Sequence, residues 1–136
     1  MSQSMARKVA SAFGVVYLLV GVLGFIPAVV VPTAIPGQGL LLGIFAVNAL
    51  HNVAHLLVGA LLVYAGTSAD RFWLLSRTLA GVFAFLVVAS LIAPVAEGVA
   101  INLPDTGLHL VSAILLGYLA FWTTADEPAG TRASAS

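Results

Sequence analysis

The chain of 136 residues contains no cysteine and very little charge. Without thiols it can form no disulfide, no thiolate metal site and no cysteine nucleophile. Only 7% of its residues are charged, against about 25% in ordinary soluble domains. A soluble fold so poor in charge could not cover its own surface. Five basic and five acidic residues cancel, so no net field draws the chain to nucleic acid. Motifs for common enzyme chemistry are also missing. No serine sits in a nucleophile elbow, no phosphate-binding loop is present, and no carboxylates pair closely in sequence. The expectation is a protein that is not an enzyme.

What the chain does have is apolar length, with 61% hydrophobic residues. An apolar run of about 20 residues spans the hydrocarbon core of a bilayer. Four such runs are readable, at about residues 9–31, 40–65, 71–93 and 106–124. Residues 1–8 form a short basic leader and residues 125–136 a small polar tail that composition marks as disordered. The first run is too long for a secretory signal core, and no small-x-small cleavage site follows it. Pro27 bends or frays its far end. Pro32, Pro36, Gly37 and Gly39 mark a tight loop, Asp70 is placed to cap the third helix, and Pro94 stops it.

These runs predict an all-α fold, an antiparallel four-helix transmembrane bundle. Four spans put both termini on one side. Arg7, Lys8, Arg71, Arg77 and Arg132 all fall on that side. Basic residues gather in the cytoplasm, so both termini are expected there, in a multi-pass protein of the cell membrane. Helices in lipid associate through close packing and hydrogen bonds. Gly14, Tyr17, Gly21 and Gly24 offer such a face on the first span, Gly81, Ala84 and Val88 on the third, and His109, Ser112, Ala113 and Gly117 on the fourth.

The stretch VNALHNVAHLLVG at residues 47–59 stands out. Asn48, His51, Asn52 and His55 follow helical spacing and form one polar stripe inside an apolar run. Polar side chains at such depth face a bundle interior by default. Asp105 and His109, four residues apart, add a carboxylate and an imidazole on the fourth helix. Tyr17 is placed to give its hydroxyl to the stripe. The candidate polar or ligand site is therefore Asn48, His51, Asn52, His55, Asp105, His109 and Tyr17.

Three uses of that set stay open. The stripe can lock the register of neighbouring helices, in a structural role that also touches lipid or a partner. It can hold haem or a metal through His51, His55 or His109. It can conduct protons or ions along a polar column. Depth weighs against a metal. With helix two running from residue 40, His51 lies near mid-membrane and His109 about 7–8 Å further out. HNVAH has the histidine spacing of a zinc-protease motif, but Asn52 stands where that motif needs glutamate. No metal and no cofactor is therefore assigned. Asp105 reads first as an anion at a helix N-terminus. The bilayer is one partner, and a second membrane protein or another copy of the chain is the kind of protein partner that fits.

Three blocks carry a family resemblance: VGVLGFIP at 20–27, LLGIFAVNALHNVAHLLVGAL at 41–61 and NLPDTGLHL at 102–110. Together they resemble a domain-of-unknown-function family of small bacterial four-helix membrane proteins. That family carries HNxxH in its second helix and an aspartate four residues before a histidine in its last. Pro104, Asp105 and His109 match this pattern. Thr106 and Gly107 depart from it, where the family often shows asparagine and an aromatic. The resemblance implies fold and location, and it lends no activity.

Overall fold

The computed structural model describes residues 1–92 and 98–124. The expected tail and Pro94 lie outside the described residues. Four helices form: α1 (Gln3–Leu23), α2 (Ala49–Ala65), α3 (Ala69–Ile92) and α4 (Leu103–Phe121). Between α1 and α2 the chain makes a 3-10 turn at Pro27–Val29 and three strands, β1 (Val30–Pro32), β2 (Gln38–Leu41) and β3 (Phe45–Asn48). Each strand pairs antiparallel with the next, in the order β1-β2-β3.

The sheet corrects the all-α expectation. An uncharged apolar run reads alike as helix or buried strand. Here Pro27, Pro32 and Pro36 deny helical hydrogen bonds, and Val30 and Val31 favour extended backbone. Gly37, at a φ of +76°, turns the chain from β1 into β2. Leu42 and Gly43, both at positive φ, turn it into β3. The second helix therefore starts at Ala49, not at residue 40.

Local capping fixes the helix ends. Ser2 caps α1, so the expected leader is that helix's first turns. Gly24 closes it, before Pro27 forbids another turn. Asn48 caps α2 by accepting from the His51 amide at 2.9 Å. At α3 the Ser68 hydroxyl accepts from the Arg71 amide at 3.3 Å. Asp70 lies in the first turn, where an anion suits the helix dipole. Asn102 and Asp105 form a reciprocal capping box on α4. That helix begins three residues earlier than sequence alone predicts.

α1 and α2 pack with their backbones in contact. A Cβ at Gly14 would stand 2.7 Å from the Gly59 carbonyl oxygen, and one at Gly59 equally close to that of Gly14. At the expected third-helix face the structure differs. Gly81, Ala84 and Val88 are exposed, and Phe72, Ser76, Leu79, Ala80 and Phe83 turn inward. On α4 the buried stripe runs through Asp105, His109, Ser112, Leu116 and Leu119. The core gathers Tyr17, Leu62, Phe72, Phe83, Leu116 and their neighbours.

Candidate functional site

The sheet and the segment after α3 meet at one end of the helices. Asn48 Nδ2 donates to the Gly98 carbonyl at 2.8 Å, and Asn102 Nδ2 donates to the Ile44 carbonyl at 2.8 Å. Strand β3 is an edge strand, with main-chain groups that β2 does not use. Buried main-chain groups without partners are costly. Asp105 resolves this for the Ala46 N–H, which donates to its Oδ2 at 3.0 Å. The same oxygen accepts from the Asn102 N–H at 2.9 Å. The Ala46 carbonyl accepts from His51 Nδ1 at 2.8 Å.

His51 Nδ1 also lies 2.6 Å from the Ala100 carbonyl oxygen. Carbonyls only accept, so Nδ1 carries the proton. The lone pair of a neutral His51 is then on Nε2. Two fixed carbonyls thus set both the tautomer and the orientation of the ring.

His51, His55 and His109 come together. Each has a ring nitrogen within 4.8 Å of one on each of the others. The ring centroids of His51 and His55 are 4.6 Å apart, and those of His51 and His109 are 6.3 Å apart. The depth mismatch expected between His51 and His109 does not exist. Because α2 starts at Ala49, His51 sits in its first turn, level with the start of α4. His51 and His109 are 3% and 5% exposed, and His55 is half-buried. His109 Nδ1 is buried and has no hydrogen-bond partner among the described residues.

Aromatic rings close the cluster. Tyr17 packs on His55 at 5.0 Å and Phe83 on His109 at 5.5 Å between centroids. The Tyr17 hydroxyl does not reach the stripe. It pairs with Ser112 Oγ at 2.7 Å. Ser112 in turn donates to the Leu108 carbonyl at 2.8 Å. Two small cavities flank the histidines. One, of about 180 Å³, lies between α2 and α3 and touches all three rings. The other, of about 90 Å³, lies between α1 and α4 beside His55, His109 and Asp105.

The predicted polar set therefore divides. His51, His55 and His109 form one centre, with Tyr17 against its side. Asp105 anchors it from behind through Ala46. Asn48 is not on a helical stripe, because it is the cap of α2. Asn52 turns away to α1 and packs on Gly24, which has room for that amide only because it lacks a Cβ. Phe83, Asn102 and the carbonyls of Ala46 and Ala100 complete the surroundings, and the sequence reading did not place them in the site. Asn102 had a readable signal, since Asn-x-x-Asp before an apolar run is a capping pattern. The two carbonyls had none.

The chain belongs to a family defined as a domain of unknown function (DUF4383), which it matches over residues 7–122. It matches no curated protein and no solved structure. The matched segment includes α1 from Arg7 onward, the other three helices, the sheet and the three histidines.

Proposed function

We propose that the chain is a multi-pass protein of the cell membrane whose working part is the enclosed histidine centre, a binding site and not a catalytic one. One observation carries the membrane placement: the helices present apolar side chains outward and polar ones inward. Leu19, Leu57, Phe85, Val111 and Ile114 are all more than half exposed, while His51, Asn52, Ser76, Asp105, His109 and Ser112 are buried. This inverts the arrangement water favours. α1, α3 and α4 are long and apolar enough to cross a membrane. α2 is shorter, and the sheet extends it.

The basic residues support cytoplasmic termini. Ser2 pairs with Thr124, so the two ends of the described chain share one end of the helices. Arg7 reaches Gly66 there, and its Nε donates to the Gly66 carbonyl at 3.0 Å. Arg71 and Arg77 lie in the first turns of α3, toward the same end. The sheet and residues 98–102, with no lysine or arginine, then face outward.

A binding role is favoured over catalysis by how the polar groups are spent. Asp105, the one buried carboxylate among the described residues, already accepts from two main-chain amides. A proton path has less support. Past Tyr17 and Ser112, toward the termini, the core is Leu62, Phe72, Leu79, Leu116 and Leu119 around a single buried hydroxyl, that of Ser76, which has no hydrogen-bond partner among the described residues and so continues no chain.

The absence of native cysteine makes the topology directly testable. Single variants Ile35→Cys and Thr67→Cys are treated with a membrane-impermeant thiol reagent. In intact cells Ile35→Cys should label, and Thr67→Cys should label only after permeabilisation. Labelling of both from one side, or the reverse pattern, overturns the placement.

A further inference from the structure

We propose that His51, His55 and His109 hold a single copper ion in the monovalent state, in a three-imidazole site. This names the ligand of the centre described above and rests on that centre being the working part of the protein.

Three independent features point to a metal. First, one nitrogen from each ring already lies within 4.8 Å of the other two. Imidazole nitrogens sit about 2.0–2.1 Å from such ions, so they end up roughly 3.5 Å apart around one. Side-chain rotations that move each nitrogen by about 1 Å close the difference. Second, His51 is prepared as a ligand should be. Metal-binding histidines donate their other ring N–H to a carbonyl or carboxylate. Here Nδ1 donates to Ala46 and Ala100, and Nε2 keeps its lone pair. Asp105 holds Ala46 in place from the far side. Third, His109 Nδ1 is buried without a partner. A buried ring nitrogen left unsatisfied is costly, and an ion bound there removes that cost.

Charge and size select the ion. Imidazoles are neutral ligands and cancel none of its charge. Asp105 is the one buried carboxylate among the described residues, so a single positive charge can be balanced nearby. A divalent ion would leave a net charge in an apolar interior, which is costly. Imidazole suits copper as well as zinc, nickel and iron, and copper is the one of these with a stable monovalent state. Haem does not fit. The cavities of about 180 and 90 Å³ fall below the 300 Å³ or more that even a drug-sized ligand needs.

The test uses the full chain in mild detergent under anaerobic conditions. It is titrated with Cu(I) against a chromophoric Cu(I) chelator and, separately, with Zn(II) against a zinc indicator. One Cu(I) per chain is expected. X-ray absorption should show three nitrogen neighbours in the unmodified protein. His51→Ala, His55→Ala and His109→Ala should each weaken binding about 100-fold or more, and Asp105→Asn about tenfold. Gly81→Ala, remote from the centre, should bind like the parent. Sub-stoichiometric copper, nitrogen counts below three, or affinity unchanged in His109→Ala overturns the proposal. So does zinc binding tighter than copper, or a Soret band in the purified protein. Absorption by the unmodified chain keeps the test decisive even where a histidine variant fails to fold. Failure here leaves the cysteine-labelling map untouched, and failure of that map leaves this titration untouched.

Discussion

At the end of the helices that carries Ser2 and Thr124, long cationic side chains do the joining. Arg71 lies over the Tyr64 ring at 4.5 Å and donates to Thr67 Oγ1 at 2.8 Å. Arg77 lies 5.2 Å from the Trp73 ring and 5.3 Å from that of Phe121. At the opposite end there is no lysine or arginine among the described residues. Short side chains reach main-chain groups there instead: Asn48 to Gly98, Asn102 to Ile44, Asp105 and His51 to Ala46. The difference matters for precision. An arginine stem bends, and its head follows water. A capped asparagine or a histidine held by two carbonyls has little freedom. The three histidines stand at this more constrained end, beside Asp105 and the Ala46 and Ala100 carbonyls.

Between these ends lies the α1–α2 contact, and breaking it should have the largest effect. Gly59→Leu places a side chain where even a Cβ would stand 2.7 Å from the Gly14 carbonyl oxygen. The helices must separate, with a loss of about 3 kcal/mol, read as a large fall in melting temperature in detergent. Melting like the parent would mean that the two helices do not meet there.

Asp105→Ala tests the rigid end itself. It removes half of the capping box and the anchor of Ala46, each about 1 kcal/mol. Stability should fall by about 2 kcal/mol, and hydrogen exchange should quicken at the Ala46 and Asn102 amides. Fast exchange across the whole chain, instead of at those two amides, would count against a local anchor.

Tyr17→Phe should cost less, about 0.6 kcal/mol, the average measured for hydrogen bonds within membranes. Ser112 keeps its bond to Leu108, so only the Tyr17 pairing is lost. A loss above about 2 kcal/mol would show that the phenol does more than pair with Ser112.

Gly81→Ala should have the smallest effect and the opposite sign. No atom lies within 4 Å of where its Cβ would stand. Replacing an exposed helical glycine should stabilise by about 0.5 kcal/mol. Destabilisation would return Gly81 to the helix interface where its spacing first placed it.

The helices were legible because apolar length and capping residues are local signals. The histidines were legible as polar interruptions of an apolar run. What sequence did not show was the sheet, and one error followed from that. Starting α2 at residue 40 moved its midpoint outward by several residues. His51 was then placed at mid-depth and separated from His109. The punctuation was present in Pro27, Pro32, Pro36, Gly37 and Gly43, yet an unbroken, uncharged stretch masked it. Tyr17 is buried, but its hydroxyl goes to Ser112 and not to the stripe, a choice set by the rotation of α4. Leu56, one turn beyond Asn52, likewise packs where a Gly21 side chain would lie. Such details depend on crossing geometry, which no single helix encodes.

The helices differ in length, with 17 residues in α2 and 24 in α3. At 1.5 Å per residue these rods differ by about 10 Å. In the placement proposed above, the acyl tails beside α2 pass from helix onto the uncharged strands that continue it, while those beside α3 meet helix throughout. A strand rises about 3.3 Å per residue, so the four residues of β3 are long enough to cover the shortfall. The flank beside α2 therefore matches the bilayer only with the sheet seated on it, and each ångström of that cover lost would cost a fraction of a kcal/mol in mismatch.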